Sequence, residues 1–256
     1  MTQAIGDIAP QGVQTRDHAA PDKPRRRALI LGASSGIGAA TAVSLAERGW
    51  HVLAAARRED RLAELAKEHS GICTAVVDVS DTAAVRSLVE SSEPLDALVY
   101  AAGWNLPDRE IKVLAEEDWK RSFSVNVDGA FAATQAVLPQ MREAGGGVIV
   151  YVSSISAEKV DASGVAYQAS KRALNGLAEV TSLEEGHYGI RTSLVMPGLT
   201  ATEFMGRRRV PPTAEQRATF MSAEDVADAI AYICELPPRL MIPSLTIVPT
   251  VNPWNR

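Results

Sequence analysis

Tyr167 and Lys171 stand four positions apart in the stretch AYQASKRAL, residues 166–174. On a helix this spacing brings both side chains to one face, an ammonium beside a phenol. A free tyrosine with a pKa near ~10 stays protonated at neutral pH and is a poor base, so reversible proton transfer requires its phenolate to be favoured. A neighbouring cation does this, and a shift from ~10 to about 7 corresponds to roughly 4 kcal/mol of differential stabilisation. Taken alone, the pair reads first as a surface aromatic next to a solvated lysine.

A second group of residues points to phosphate. The run LGASSGIGAAT sets Gly32, Gly36 and Gly38 in Gly-x-x-x-Gly-x-Gly spacing where an apolar strand turns into a helix. Bare backbone can approach a pyrophosphate there, and the helix start offers free N–H groups and a positive dipole end. Ser34 and Ser35 add hydroxyl donors, and Ile37 lies within the same turn. A ligand-free βα turn is the weaker reading, because both flanking elements suit a dinucleotide loop. At the end of the second strand, where a carboxylate would bond an unphosphorylated ribose, the chain has Ala56 followed by Arg57 and Arg58. Guanidinium groups suit a 2′-phosphate, so NADP(H) is expected over NAD(H); the alternative is that both arginines face solvent. Asp78, closing the third strand in VVDVSD, is placed either to receive an adenine amino group or to cap the next helix.

The elements that must position these groups follow from the hydrophobic rhythm. From Arg25 onward, short apolar runs alternate with longer helical patterns, which is the signature of βαβ units around a parallel sheet. Strands are expected at 28–32, 51–56, 72–77, 96–101, 147–153, 190–196 and 243–248. Helices are expected at 36–49, 59–69, 81–91, 116–143, 165–187 and 223–235. Ser80 and Asp81 offer N-caps to the third helix, and Ser222 with Asp225 a capping box to the last. Glu59 and Asp60 fall in the first turn of the second helix. The fold class is therefore α/β: a single-domain, Rossmann-type doubly wound sheet of about seven parallel strands with helices on both faces.

With these motifs in order, the sequence resembles the short-chain dehydrogenase/reductase family over about residues 25–250. GASSGIG is similar to its cofactor loop, Asp78-Val79 to its adenine contact, and Asn126 in SVNVDGAF to its structural and catalytic asparagine. Ser154 precedes Tyr167 by 13 residues, YQASK resembles the Tyr-x-x-x-Lys motif, and PGLTAT (Pro197, Gly198, Thr200, Thr202) resembles the loop that holds the nicotinamide carboxamide. The resemblance implies that Tyr167 is the general acid/base, that Ser154 donates to the substrate oxygen, and that Lys171 also bonds the nicotinamide ribose. It further implies that Asn126 orders a water-linked proton relay, and that no metal is needed. Two positions depart from the family pattern. Leu31 replaces a threonine before the first glycine, and Tyr100-Ala101-Ala102-Gly103 replaces Asn-Asn-Ala-Gly, although Gly103 still permits close approach to the cofactor. The segment after Ser222 resembles that of NADP-dependent 3-hydroxy acid or serine dehydrogenase-like members.

Composition limits what else the chain does. A net charge of -5 argues against nucleic acid or an anionic membrane as primary partner. Cys73 and Cys234 lie far apart without zinc-site or disulfide spacing, which suits a reducing cytoplasmic setting. Residues 1–24 read as a mobile polar tail, and 25–256 as the oxidoreductase domain with a substrate lid at about 199–220. Substrate choice is expected from the segment after Gly103, from the loop holding Glu158 and Asp161, and from the lid. Trp104 reads equally as an apolar wall or as core; Arg207, Arg208 and Arg209 read as a solvated run or as an attraction for an anionic substrate. The expected activity is NADP(H)-dependent hydride transfer between a small-molecule carbonyl and its alcohol, and the family resemblance implies a homodimer or homotetramer built through helices 116–143 and 165–187. The alternative is a non-catalytic NADP(H)-binding regulator or scaffold.

Overall fold

The computed structural model describes residues 26–206 and 209–251. The tail expectation for residues 1–24, and the expectations for Arg207 and Arg208, lie outside the described residues. Seven parallel strands form one sheet in the order β3-β2-β1-β4-β5-β6-β7, as the alternating rhythm predicts. In chain order they are β1 (Arg27–Leu31), β2 (His51–Ala56), β3 (Ile72–Val76), β4 (Ala97–Tyr100), β5 (Gly147–Val152), β6 (Ile190–Pro197) and β7 (Ser244–Ile247). The helices are α1 (Gly36–Glu47), α2 (Glu59–Glu68), α3 (Thr82–Ser91), α4 (Glu116–Phe123), α5 (Gly129–Glu143), α6 (Val165–Glu185), α7 (Glu203–Gly206), α8 (Ala214–Arg217) and α9 (Ala223–Glu235).

Period-two alternation explains how one apolar strand serves two cores. Leu29 and Leu31 of β1 join one cluster with Val85 and Val89 of α3, Ala130 and Val137 of α5 and Leu174 of α6. Ala28 and Ile30 point the other way, to Leu45 of α1, Leu62 of α2 and Ile230 of α9. Both faces are thus covered, which is why β1 is apolar at nearly every position. Leu31 is wholly buried in the first cluster, so its departure from a hydroxyl residue adds packing where the resemblance implied a polar brace.

The strand order reverses between β1 and β4, whose partners in register include Leu31 and Tyr100. A crevice opens beyond the carboxyl ends of strands at such a switch point. The lid region begins where β6 ends, and Thr200 makes a parallel bridge to Met221 at its base.

Three expectations are corrected by the structure. The helix expected over 116–143 is divided into α4 and α5 by a π turn at Ser124–Asp128, with Asn126 in its middle. The segment SVNVD carries neither the Pro nor the Gly that would mark a break, so the sequence did not reveal it. Asp81 alone caps α3, accepting from the Ala83 and Ala84 N–H groups, while Ser80 turns back to Asp78. Asp78 is thereby removed from the capping role. The box on α9 forms as expected: Asp225 N–H donates to the Ser222 hydroxyl at 3.1 Å and Ser222 N–H to the Asp225 carboxylate at 2.7 Å. Ser222→Ala should cost about 1 kcal/mol of stability, read as a lower denaturation midpoint at unchanged m-value.

Candidate active site

The switch point opens into a cleft of about 270 Å³. Its floor is the turn after β1. Gly32 has φ +92, and a Cβ there would lie 2.5 Å from the Ala102 nitrogen; one on Gly38 would lie 2.3 Å from the Gly32 carbonyl oxygen. Any side chain would force apart the ends of β1 and β4 or the turn and helix α1. Gly32 and Ala33 N–H groups both donate to the Ala55 carbonyl, at 2.8 and 3.2 Å, tying the turn to β2. Ser35 caps α1 without a side-chain hydrogen bond, so the first N–H groups of the helix are left for another acceptor.

Two arginines stand at one end of the cleft in different states. Arg57 is half-exposed and pairs with Asp78 at 3.5 Å. Partial burial alone would raise the Asp78 carboxyl, but hydrogen bonds from the Ser80 N–H and hydroxyl, together with the Arg57 guanidinium, hold it below the ordinary carboxylate value. Arg58 is more firmly held. Its Nε and Nη2 donate to the Ser34 hydroxyl and carbonyl at 3.2 and 3.0 Å, and Nη1 to Glu203 at 2.9 Å. The solvent alternative for Arg58 is therefore set aside: it fastens the glycine turn to the lid helix α7.

At the other end, residues from β5, α6 and the π turn converge. Ser154 follows β5 with 9% exposure, and its hydroxyl oxygen accepts from the Ser156 N–H at 3.1 Å, which leaves the hydroxyl proton directed elsewhere. Tyr167 and Lys171 lie one helical turn apart on α6, with the Lys171 nitrogen 5.8 Å from the Tyr167 ring centre. Lys171 is buried, donates to the Val152 carbonyl at 2.8 Å, and is pushed down to about 8 by desolvation. The Phe204 ring of the lid packs against Tyr167 with centres 5.8 Å apart.

Asn126 is fully buried and works through its amide. Its Oδ1 accepts from the Trp104 N–H at 2.7 Å, and its Nδ2 is shared among the Trp104 carbonyl, the Ser170 hydroxyl and the Ser122 hydroxyl at 3.0, 2.8 and 3.3 Å. Ser170 in turn donates to the Tyr167 carbonyl at 2.8 Å. A Cβ on Gly103 would sit 3.7 Å from the Lys171 nitrogen and 3.9 Å from Asn126 Oδ1, so that glycine keeps the wall open beside both.

Gly32, Ser34, Ser35, Gly36, Ile37, Gly38, Arg57, Arg58, Asp78, Val79, Ala101, Ala102, Gly103, Ser154, Tyr167, Lys171, Pro197, Gly198, Thr200 and Thr202 all line this cleft. Asn126 is the one sequence-selected site residue that does not, and it lies behind the wall. Asp161 lines the cleft and Glu158 does not. Trp104 does both things weighed for it: it lines the cleft while packing on the core, and Arg121 stacks on its outer face at 5.2 Å. Arg209 is exposed and pairs with Asp108 outside the cleft. Sequence reasoning reached Asn105, Ser163 and Phe204 only as members of the segments expected to set substrate choice, and passed over Ser170. Ser170 was findable, since it lies inside YQASK and three positions from Tyr167. A bare, closely approached floor, arginines at one end and a buried ammonium at the other fit a phosphorylated dinucleotide. Among the described residues, no cluster of three or more His, Cys, Asp or Glu is placed to hold a metal, and no helix is long and apolar enough to cross a membrane.

Known proteins are similar to this chain in sequence and fold. A family model described as short chain dehydrogenase matches residues 26–211. Sulfoacetaldehyde reductase 2 of Chromohalobacter salexigens is 33% identical over 240 residues, covering 89% of this chain and 95% of that protein. The closed form of a serine dehydrogenase complexed with NADP+ superposes with a TM-score of 0.82 at 27% identity, covering 88% of this chain and 96% of that one. An alcohol dehydrogenase from the archaeon Thermococcus sibiricus complexed with 5-hydroxy-NADP gives 0.79 at 25% identity, covering 90% and 98%.

The buried ammonium has a measurable consequence for stability. Because the folded-state value of Lys171 lies below its unfolded value of 10.5, the cost of burying the charge is fully present below about pH 8. Between those values the unfolded chain binds more protons, so this contribution makes stability rise with pH. Relative to Lys171→Met, the wild type should gain on the order of 3 kcal/mol from pH 8 to 10.5, measured by denaturant unfolding at each pH. A constant difference between the two proteins would contradict a buried cation at this position.

Proposed function

The chain belongs to the short-chain dehydrogenase family, a family of hydride-transfer oxidoreductases, and from that premise we propose that it is an NADP(H)-dependent reductase of small carbonyl compounds, running in reverse on secondary alcohols. The observation that carries this reading is the convergence of Ser154, Tyr167 and Lys171 on one wall of a cleft whose far end carries Arg57 and Arg58.

The turn from Gly32 to Gly38 would hold the pyrophosphate, Asp78 and Val79 the adenine side, and Arg57 the 2′-phosphate. Ala101, Ala102, Gly103, Pro197, Gly198, Thr200 and Thr202 would frame the nicotinamide half. When bound, NADPH supplies the hydride. The protein's own work is to orient the carbonyl and to deliver a proton to its oxygen. Ser154 has a hydroxyl proton free of its Ser156 contact and would donate it as a hydrogen bond to that oxygen, polarising the carbon. Tyr167 would pass its phenolic proton to the same oxygen and recover it through the buried polar groups behind it. Lys171, desolvated and near the ring, supplies positive potential that strengthens as water is excluded. Phe204 packs on Tyr167 and provides that exclusion from the lid side. A binding module without turnover has no need of the matched proton donor that Ser154, Tyr167 and Lys171 make together, and so the regulator alternative is not favoured.

Substrate recognition is set by Trp104, Asn105, Asp161, Ser163 and Phe204. Two relatives are named for a sulfonated aldehyde and for serine, which share a small polar skeleton with an acidic group, and small polar carbonyls are the class to test first. The exposed apolar side chains Phe131 on α5 and Val180 and Leu183 on α6 support assembly through those helices. Two thiols outside any disulfide, Cys73 and Cys234, suit a reducing cytoplasm.

Two results test the reading. Tyr167→Phe should lose at least about 100-fold in kcat on any accepted carbonyl while still binding NADPH, the scale of a lost general acid. Full activity in that variant would remove Tyr167 from the chemistry. Arg57→Ala should weaken NADPH binding roughly ten- to 100-fold and leave NADH binding nearly unchanged, as loss of a charge-assisted phosphate contact requires. Titration by nucleotide fluorescence reads both, and equal losses would refute the 2′-phosphate contact.

A further inference from the structure

Tyr100 departs from the family pattern and takes no part in the chemistry above, yet it reaches the segment on which that chemistry rests. It ends β4, is fully buried, and its hydroxyl donates to the Val125 carbonyl inside the π turn. Burial pushes the phenol above its ordinary range, so the hydroxyl stays a donor at working pH. Room for it is made by Gly129: a Cβ there would lie 2.5 Å from the Tyr100 oxygen and 2.3 Å from the Val79 carbonyl. A π turn widens the regular helical ladder, and a donor from a neighbouring strand fixes where the widened turn sits.

The consequences run directly toward the reacting end. Val125 precedes Asn126, whose amide grips Trp104 on the cleft wall and Ser170 on α6. Ser170 lies between Tyr167 and Lys171 in sequence and bonds the Tyr167 carbonyl. We propose that Tyr100 is a positioning residue: its hydroxyl sets the place of the π turn, and through it the placement of Asn126 against the wall and the helix that carry the reacting groups. This rests on the oxidoreductase reading given above.

The sheet supplies its own control. Tyr151 is the register partner of Tyr100 on β5, is equally buried, and shares a hydrogen bond with the Thr134 hydroxyl of α5 at 2.5 Å, away from the π turn. Removing the Tyr100 hydroxyl deletes its bond to Val125, and removing that of Tyr151 deletes its bonds to Thr134 of α5 and Thr181 of α6, but of the two only Tyr100 bonds the turn that carries Asn126.

Tyr100→Phe and Tyr151→Phe are compared by thermal unfolding, NADPH titration and steady-state kinetics on a carbonyl that the wild type reduces. Both are expected to lower Tm to a similar extent with NADPH affinity held. Tyr100→Phe alone should lower kcat, roughly tenfold, equivalent to about 1.4 kcal/mol of barrier. Ser170→Ala cuts the next link with Tyr100 intact, and should show the same kcat-selective loss. Wild-type kcat in Tyr100→Phe or in Ser170→Ala, or equal kcat losses in the two tyrosine variants, overturns the positioning role. Full turnover by Tyr167→Phe would overturn the oxidoreductase reading, and this proposal with it, and is distinguished by being a result on a different residue.

Discussion

The amide of Asn126 is the interaction on which the site depends. It comes from a helix, grips the main chain of a loop after β4, and bonds a hydroxyl on a second helix, so three separately folded segments share one buried group. Each residue of a regular α-helix advances the side chain by about 100°, and the extra residue of the π turn at Ser124–Asp128 changes that phase in the segment where Asn126 sits. Trp104 is thereby held by two reciprocal hydrogen bonds, and the glycine before it stays close to the Lys171 ammonium. Leaving a buried amide half-paired would cost about 1–3 kcal/mol per group, so the three segments have strong reason to stay in register with one another.

Lys171 imposes the complementary constraint. A fully buried ammonium is expensive, and the structure offsets it with a carbonyl at the end of β5, with no ion pair to a carboxylate among the described residues. A carboxylate partner would hold the charge more cheaply and would also quench its field at Tyr167. A neutral carbonyl leaves most of that field available inside the cleft. Depressed basicity and catalytic usefulness thus have the same origin, desolvation with limited compensation.

Much of the fold was legible in sequence because it rests on local repeats. β1 alternates its side chains between two helix layers, and the glycine turn after it is demanded by backbone approaches that no side chain could survive. The cleft was legible for a related reason: the glycines, Ser154, Tyr167 and Pro197 all lie at strand ends or in the turns and helix starts that follow them. What sequence did not show was phase and pairing. The π turn changes helix register with no Pro or Gly inside SVNVD to mark it, and Asp78 and Asp81, three positions apart with the same chemistry, divide their tasks according to which N–H groups lie nearby. Tyr100 stands where the family pattern has an asparagine, and only the structure shows that its hydroxyl bonds the Val125 carbonyl.

Arg57 and Arg58 show why adjacency in sequence does not mean equivalence in chemistry. An exposed ion pair such as Arg57–Asp78 is worth about 0–1 kcal/mol, so exchanging that carboxylate for an incoming phosphate dianion releases little and gains a stronger partner. Arg58 would have to surrender two bonds to Ser34 and one to Glu203, and doing so would loosen the glycine turn and its tie to α7. The same residue type is therefore adaptable at one position and structural at the next. The difference lies in how many of the guanidinium's donors are already occupied, and it is this occupancy that leaves Arg57 the freer of the two to meet a phosphate.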